Sequence, residues 1–236
     1  GRSSACDYPP EVKALPVVGD FGRPNVELLV RMHPDIVIAT DFEKPAIFRR
    51  LVAAGMCVLL LPCEGLAELE EDAQALAKAL GDPQGGREWA MRFRERKERL
   101  EEQTAEYYRG MDRPRVFIEV WCDPLTTVGR SSFLSDVVSI AGGVNIGQGL
   151  KAQYAHVSAE WVIRQDPDVL LVAYMLPAGQ AVAAIRERPG WTQLRAVRDG
   201  AICADIPPEL LLRPGPRLLD GAERLAEWLR QCSSKN

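Results

Sequence analysis

Two stretches of the chain carry nearly the same sequence: residues 25–39 read NVELLVRMHPDIVIA, and residues 158–172 read SAEWVIRQDPDVLLV. A constant offset of 133 residues superposes four pairs of identical residues: Glu27 and Glu160, Arg31 and Arg164, Pro34 and Pro167, and Asp35 and Asp168. In each copy a residue type that commonly caps helices precedes apolar residues at helical spacing, a Pro-Asp pair and a short apolar run. The repeat therefore predicts a helix followed by a buried strand at two places in the chain.

The alternation of helix and strand patterns continues between and beyond the two copies. Helices are predicted over residues 43–54, 66–80, 133–141, 178–187, 190–197 and 216–231, and strands over residues 56–62, 115–120 and 201–204. Gly55, Gly81 and Gly142 follow the first three of these helices as stop signals. Strands that alternate with helices along a chain pair in mainly parallel sheets covered by helices.

A different kind of segment covers residues 87–109, which lack Gly and Pro until Gly110 and are crowded with charges. Its large apolar side chains recur at multiples of three to four residues along one side: Trp89, Phe93, Leu100 and Tyr107. This pattern predicts a single long helix, about 35 Å in length at a rise of about 1.5 Å per residue.

These patterns predict an α/β fold with two doubly wound lobes, mainly parallel sheets, a single long helix that joins the lobes, and a ligand cleft between them. We assign residues 1–85 to an N-terminal lobe, 86–111 to the connecting helix and 112–236 to a C-terminal lobe. Ligands favour domain junctions and the carboxyl ends of parallel strands, so residues that follow strands are the first candidates for binding.

The composition excludes several classes of partner. Of the 236 residues 47% are hydrophobic, and the formal net charge is only −4, without a basic patch that would attract nucleic acid. The longest apolar runs, such as residues 56–62, are too short to span a bilayer, so no direct membrane insertion of the chain is expected.

Neither catalysis nor a metal site is indicated by the motifs. The six cysteines lack the C-x-x-C spacing of zinc and redox sites, and their pairing is left open. The sequence GGVNIGQG at residues 142–149 matches no dinucleotide- or phosphate-binding loop and is interpreted as a helix stop and turn. There is no G-x-S-x-G motif, and two histidines offer little material for a catalytic triad.

Several segments resemble, in order and spacing, the helical-backbone class (class III) of periplasmic solute-binding proteins, which serve ATP-driven importers of siderophores, haem and cobalamin. They are GRSSACDYPPEV at 1–12, PVVG at 16–19, PNVELL at 24–29, HPDIVIA at 33–39, RVFIEVWCDPLTTVG at 115–129, AGGVNI at 141–146 and VSAEWVIRQDPDVLLV at 157–172. PDIVIA and AGGVNI are common to the wider family, whereas the SS-x-x-DYPP stretch is closer to the cobalamin-binding branch. The resemblance covers most of the chain.

The resemblance implies a binding protein, periplasmic or anchored to the outside of a membrane, that captures cobalamin or a related corrinoid and delivers it to the permease dimer of an ATP-driven importer. It implies no enzymatic activity and no cofactor, since the corrinoid is the transported ligand. Two alternatives stay open: a haem or iron-siderophore binding protein of the same class, and a chelatase-like enzyme on a similar architecture. Members of the class begin with another strand and helix before the stretch matching GRSS, so the N-terminal lobe is expected to lack that first unit.

Three aromatic residues are predicted to contact the ligand. In the resemblance, aromatic side chains line the cobalamin cleft at the positions of Phe21 and Tyr154, both in loop-like stretches, while Ala5 and Thr40 replace aromatic residues of known relatives. Trp121 follows a predicted strand directly, at the edge of the sheet where α/β proteins bind ligands. For Trp121, a lid over the hydrophobic core is the alternative interpretation.

Two polar residues complete the predicted ligand site. Arg213 lies in a Pro-rich loop and is suited to the amides or phosphate of a corrinoid. His156, two residues after Tyr154, is the better imidazole candidate, with a surface or capping role as its alternative. His33 precedes the Pro-Asp pair of the repeat and is interpreted as structural.

The repeat also contains one acidic residue per copy, Glu27 and Glu160. Each falls two residues after a predicted helix cap, where the helix dipole favours a carboxylate and an arginine one turn later can pair with it. The resemblance implies a second role, since relatives present one acidic residue per lobe, at these positions, to arginines of the two transporter halves. Both glutamates are therefore predicted to serve transporter docking.

Overall fold

The computed structural model describes residues 1–40 and 45–233, which form two compact units, Gly1–Cys63 and Glu64–Asn236. Each unit is built of helices, a parallel sheet and a separate antiparallel sheet. The predicted fold class, two α/β lobes with mainly parallel sheets, is confirmed.

The first unit has a small core. Its strands are β1 (Gly19–Asp20), β2 (Arg23–Pro24), β3 (Val37–Ala39) and β4 (Val58–Leu60), and its helices are α1 (Val26–Met32) and α2 (Pro45–Ala53), with a 3-10 turn at Pro10–Ala14. β1 pairs antiparallel with β2, and β3 pairs parallel with β4. Val26 and Leu29 of α1 pack with Leu51 of α2 as the buried cluster. The helix predicted over residues 43–54 is α2, and its first two predicted residues lie outside the described part of the chain.

The second unit contains the remaining elements. Its helices are α3 (Leu66–Ala79), α4 (Pro83–Tyr107), α5 (Phe133–Ile140), α6 (Ala159–Gln165), α7 (Ala178–Glu187), α8 (Arg195–Arg198) and α9 (Leu218–Ser233), and its strands are β5 (Arg115–Glu119), β6 (Trp121–Cys122), β7 (Leu125–Val128), β8 (Val144–Asn145), β9 (Tyr154–His156), β10 (Val169–Val172) and β11 (Ile202–Cys203). Short 3-10 turns lie at Ile146–Gly149, Trp191–Gln193 and Pro208–Leu210.

A four-stranded parallel sheet of order β11-β10-β5-β8 forms the centre of the second unit. β5 and β10 are in register from Val116 opposite Val169 to Glu119 opposite Val172. Nearly every residue of these two strands is buried, whichever face it points to. That burial explains their continuous apolar sequences, which are typical of parallel strands covered on both sides.

The predicted long helix is present as α4, with 25 residues. It begins before residue 87 because Pro83 suits a first helical position and the Asp82 side chain accepts a hydrogen bond from the Gly85 amide at 2.9 Å. Its buried apolar side chains include Phe93 and Leu100, as the periodicity predicts.

Polar contacts bind α4 to three neighbouring helices of its own unit. The Glu70 carboxylate of α3, 5% exposed, pairs with Arg94 at 2.8 Å and with Lys97 at 3.0 Å. Arg96 pairs with Asp220 of α9 at 2.7 Å, and the Thr104 hydroxyl donates to the Ile140 carbonyl of α5 at 3.0 Å. Since α3 packs on α4, the compact units divide after Cys63 and not at the predicted boundary after residue 85.

The backbone follows the sequence repeat. The side chains of Asn25 and Ser158 cap α1 and α6, accepting hydrogen bonds from the amides three residues later at 2.9 and 3.2 Å. Both helices end in a left-handed residue, His33 with φ of 47° and Asp166 with φ of 40°. Equivalent local sequence thus produces equivalent caps at both helix ends.

One predicted helix is wrong in its extent. Residues 190–197 were predicted as a single helix, but the chain forms the 3-10 turn Trp191–Gln193, an extended Leu194 and then α8. Trp191 and Leu194 are both almost completely buried. Tertiary packing of these two large side chains overrides the local helix propensity.

A half-buried carboxyl group on α5, bonded to the start of α3, gives a pH-dependent prediction. Asp136 accepts the Leu66 amide at 3.0 Å, yet burial raises the pKa of this carboxyl more than that hydrogen bond lowers it. The folded protein therefore binds the proton more tightly than the unfolded chain, and stability falls as pH rises between the ordinary and the raised pKa. Asp136→Asn keeps an acceptor oxygen but cannot ionise, so its Tm relative to the parent should rise between about pH 3 and pH 7.

Differential scanning calorimetry of both proteins across that range measures the difference. A parent that becomes more stable relative to the asparagine variant with rising pH would contradict the assignment. Ser139→Ala, on the same helix, serves as a control whose Tm difference from the parent should not change with pH.

Candidate functional site: an aromatic platform

Three predicted ligand residues lie together on a small antiparallel sheet of order β6-β7-β9. Trp121 lies opposite Thr126, and Thr126 lies opposite His156 on its other side. Directly opposed residues share a face of a sheet, and so do residues two apart in a strand, so Tyr154 joins the same face. Trp121 is 54% exposed and Tyr154 is 37% exposed. We call Trp121, Tyr154 and His156 the aromatic platform.

The platform directly follows the central strand of the parallel sheet. β5 ends at Glu119, and the Val120 amide donates to the Thr126 carbonyl at 3.0 Å, which starts the hairpin of β6 and β7. The Trp121 indole Nε1 donates to the Asp123 carbonyl in the hairpin turn at 2.7 Å. Trp121 is therefore held at the carboxyl end of a parallel strand.

Hydrogen bonds define the tautomer of His156. The Thr126 hydroxyl donates to the Pro124 carbonyl at 2.7 Å and lies 3.0 Å from Nδ1 of His156. A hydroxyl has one proton, so with that proton on Pro124 the Thr126 oxygen accepts from Nδ1–H. In the neutral ring Nε2 then carries the lone pair, available to accept a hydrogen bond or to coordinate a metal held by a ligand.

A buried ion pair lies at the end of β5, two residues before Trp121. Arg188 donates from both terminal nitrogens to the Glu119 carboxylate, at 2.8 and 2.9 Å, and the Tyr174 hydroxyl donates to the same carboxylate at 2.9 Å. Glu119 is 1% exposed. The Arg188 guanidinium also lies 4.0 Å from the centre of the Trp191 ring, in cation–π geometry.

Burial and charge shift the pKa values of this network. Burial raises the pKa of Tyr174, and the neighbouring Glu119 carboxylate raises it further. For Arg188, burial alone lowers the pKa, but the hydrogen bonds and the charge of Glu119 outweigh burial and leave the pKa above its ordinary value. Tyr174 thus stays a neutral hydrogen-bond donor and Arg188 a cation at physiological pH.

The other two predicted ligand residues lie elsewhere. Phe21, 64% exposed, occupies the turn between β1 and β2 in the first unit. Arg213 is half-buried in the loop between the 3-10 turn Pro208–Leu210 and α9. The structure therefore brings together the three residues of the platform, and Phe21 and Arg213 stay individual predictions.

The predicted docking residues Glu27 and Glu160 are both exposed at helix starts. Glu27 does not pair with Arg31, as its spacing suggested, but with Arg50 of α2 at 3.2 Å. Hydrogen bonds from its own backbone amide and from Ser158 lower the pKa of Glu160. Each carboxylate is thus negatively charged on the surface, whatever further role it has.

Thr126 and the Glu119 network were not found from the sequence. Thr126 lies 30 positions from His156 in the chain, and Glu119 lies 69 positions from Arg188. A single glutamate within the apolar run RVFIEV was the one local signal, because a charged residue in a buried strand requires a partner. Nothing local indicates which partner that is.

The described residues contain no group of three or more His, Cys, Asp or Glu side chains able to hold a metal ion. No helix among them combines the length and the apolar character that crossing a bilayer requires. Cys6, Cys57, Cys122 and Cys203 are free thiols.

A model of the periplasmic binding protein family matches residues 1–208. The chain belongs to this family. Its resemblance to the helical-backbone class is thereby confirmed, and so are the predicted solute binding and transport with an ATP-driven importer. Members of the family are non-enzymatic components of transport systems.

Individual relatives of this periplasmic binding protein indicate the importer class. It is 26% identical over 225 residues to an uncharacterized ABC transporter substrate-binding lipoprotein, YvrC, of Bacillus subtilis, covering 93% of this chain and 69% of the relative. The periplasmic vitamin B12 binding protein BtuF of Vibrio cholerae matches with a TM-score of 0.81 and 28% identity, covering 96% of this chain and 86% of that one. A periplasmic heme binding protein of Pseudomonas aeruginosa matches with a TM-score of 0.81 and 29% identity, over 93% and 80% of the two chains.

These relatives are periplasmic proteins or lipoproteins, as the predicted location outside the cytoplasm requires. The chain is therefore a solute-binding component of an ABC importer. Its relatives bind different ligands, so the ligand of this chain is a separate question.

The His156 tautomer can be tested by NMR, because the chain has only two histidines. Long-range ¹H–¹⁵N spectra of the neutral imidazole should show His156 with the proton on Nδ1. Thr126→Val removes the accepting oxygen, and the ring should revert to the commoner Nε2–H form. His33→Gln assigns the two signals.

Thr127→Val is the matched control for this experiment. The Thr127 hydroxyl is buried without a hydrogen-bond partner on the other face of the same strand, so its removal should leave the tautomer unchanged. A parent spectrum with the proton on Nε2 of His156 would refute the hydrogen-bond assignment.

Proposed function

We propose that this periplasmic binding protein captures cobalamin or a related corrinoid and delivers it to the permease dimer of its importer. The observation that carries the proposal is the aromatic platform, which exposes Trp121 and Tyr154 beside His156 at the carboxyl end of the central strand. Large aromatic side chains exposed at that edge of a sheet are typical of ligand sites.

The chemistry of the platform fits a macrocycle with polar substituents. Aromatic rings offer broad apolar contact area to a flat ring system. Nε2 of His156 is oriented to accept a hydrogen bond from an amide N–H, a group that decorates the corrin ring. Arg213 is proposed to address a phosphate or amide oxygen of the same ligand, because a guanidinium is a strong donor to such oxygens.

Phe21 is proposed as a further aromatic contact because of its position in the repeat. The offset of 133 that relates the two copies also relates Phe21 to Tyr154, four residues before the caps of α1 and α6 respectively. Both rings are exposed. A repeated aromatic residue that is solvent-exposed in both copies contributes little to either core, which favours a binding role.

Haem is the second candidate ligand. It is favoured by the similarity to the heme binding protein of Pseudomonas aeruginosa and by the free lone pair of His156 Nε2, which can coordinate iron. An iron siderophore is a third possibility within the class. We propose that the chain acts by binding alone, so that none of these ligands is chemically altered.

Titration with cyanocobalamin, haemin and a ferric hydroxamate, followed by absorption spectroscopy, tests the proposal. If these aromatic side chains contact a corrinoid, the variants Trp121→Ala, Tyr154→Ala and Phe21→Ala should each weaken cyanocobalamin binding by about 1–3 kcal/mol, roughly tenfold to hundredfold in Kd. Stability should change less, because all three side chains are exposed.

Leu80→Ala, at a residue 63% exposed on another part of the second unit, is the control and should bind like the parent. Parent-like binding by all three aromatic variants would show that the platform is not the site. Binding of haemin alone would replace the corrinoid by haem, and spectral change that continues after binding would indicate an enzyme of the chelatase type.

Glu27 and Glu160 are proposed to orient docking on the permease dimer. One exposed carboxylate in each copy of the repeat suits a partner with two equivalent halves. Charges at the rim of an interface mainly raise association rates and fix orientation. Their contribution to the fold is small, since Glu27 and Arg50 are 72% and 62% exposed and pairs of that kind add little stability.

The double variant Glu27→Ala, Glu160→Ala should therefore keep the Tm and the ligand affinity of the parent while binding to the permease in proteoliposomes weakens. The loss should be greatest at low salt, where unscreened charges steer association most strongly. Glu88→Ala combined with Glu106→Ala removes the same charge from another exposed surface and is the control. If the Glu27→Ala, Glu160→Ala variant supports uptake at the parental rate across a range of salt concentrations, the docking role is refuted. The two carboxylates would then serve only to stabilise the starts of α1 and α6.

A further inference from the structure

A second exposed apolar surface lies at the same edge of the parallel sheet as the aromatic platform. Residues 173–177 connect β10 to α7, and within this loop Met175 is 68% exposed and Leu176 is 39% exposed. β5 and β10 are neighbouring parallel strands whose last residues, Glu119 and Val172, are directly paired. Trp121, which follows β5, and the loop that follows β10 therefore start side by side.

This loop is held in place by hydrogen bonds to the end of β5. The Ala173 amide donates to the Glu119 carbonyl at 2.8 Å, and the Tyr174 hydroxyl donates to the Glu119 carboxylate at 2.9 Å. The Leu176 amide donates to the Tyr174 carbonyl at 2.9 Å, which closes a tight turn. Because Tyr174 is only 3% exposed and tethered inward, the turn presents the next two side chains to solvent.

The other end of α7 reaches the same carboxylate. Arg188, which follows the last residue of α7, donates both terminal nitrogens to Glu119 while stacking on Trp191. Glu119 thus fixes the loop before α7 through Tyr174 and the chain after α7 through Arg188. A bidentate guanidinium–carboxylate pair is geometrically specific, so this network determines where the loop stands relative to Trp121.

We infer that Met175 and Leu176 contact the ligand as an extension of the aromatic platform, and that Glu119, Tyr174 and Arg188 position them. This inference rests on the proposed function and adds to it a requirement on the ligand. A surface of one indole ring, one phenol ring, a thioether and an isobutyl group recognises a molecule with a broad apolar face.

The exposure of these two residues requires an explanation other than folding. Met175 and Leu176 lie outside the buried core, so they add little to stability, and adjacent large apolar side chains at a loop tip are costly in water. An unbranched thioether adapts to irregular apolar shapes and makes favourable contacts with aromatic rings. Continuity with Trp121 across two paired strands favours the transported molecule over a protein as the occupant.

Met175→Ala and Leu176→Ala test the contact directly. With whichever of cyanocobalamin, haemin or ferric hydroxamate the parent binds, each variant should raise Kd by about threefold to tenfold at unchanged Tm, since each loses apolar contact area. Met91→Ala is the matched control, because Met91 is 55% exposed on α4 and the substitution removes the same type of side chain from a different surface.

Tyr174→Phe tests the positioning role, since it removes only the hydroxyl that tethers the loop to Glu119. It should weaken binding, and Met175→Ala should then cost less in the Tyr174→Phe background than in the parent. Such coupling in a double-mutant cycle is not expected if Tyr174 acts on stability alone.

The outcomes separate the two proposals. A parent that binds none of the three probes overturns the proposed function and, with it, this inference. A parent that binds, with Met175→Ala and Leu176→Ala both equal to Met91→Ala, overturns the inference and leaves the function standing. Normal ligand affinity of both variants with weakened permease binding also overturns it, because the loop would then serve the protein partner.

Discussion

The pairing of β5 with β10 is the constraint on which the second unit depends. The two strands run parallel in register to their last residues and are buried on both faces, so their side chains must be apolar wherever no partner is available. The one charged residue on the buried stretch is Glu119, and it comes where β5 ends. The chain leaves the sheet directly after this residue, as the hairpin that carries Trp121.

A carboxylate at that position is expensive to bury and therefore restricts its surroundings. Removing a charge from water costs several kcal/mol, which is recovered only if partners with good geometry saturate the oxygens. Arg188 and Tyr174 supply three hydrogen bonds to the two oxygens. In proteins generally, hydrophobic residues of similar volume often give equal or better stability than a buried ion pair. The network instead fixes the position of α7, because Tyr174 before the helix and Arg188 after it must both reach the Glu119 carboxylate.

The sequence was sufficient to locate most helices and strands, but it did not show which distant residues contact one another. Periodicity located α3, α4 and α7 within a few residues, because amphipathic spacing reports which face of a helix is buried. It failed at residues 190–197, where the burial of Trp191 and Leu194 breaks a helix that local propensity favours. Local rules give no information about contacts between residues distant in the chain.

The site shows the same division. Trp121 was predicted because it follows a strand, which is a local fact, and Tyr154 and Phe21 because of the family resemblance. Their grouping was not predictable, since the cross-strand register that places Trp121 in line with Thr126 and His156 depends on the β6–β7 turn and on the approach of β9. For the same reason Glu27 was assigned to Arg31, one turn away, although its partner is Arg50 on the next helix.

The repeat separates what local sequence determines from what it does not. The two copies form the same caps and the same left-handed helix ends at His33 and Asp166. Their tertiary contacts nevertheless differ: Asp168 accepts the Arg115 amide of β5 at 2.8 Å and pairs with Arg195 at 2.9 Å, whereas its counterpart Asp35 is exposed. The two copies therefore share their local signals, while their tertiary contacts depend on what each unit adds around them. The aromatic platform arises from such an addition, because the β6–β7 hairpin inserts Trp121 and Thr126 beside the repeat-related residue Tyr154.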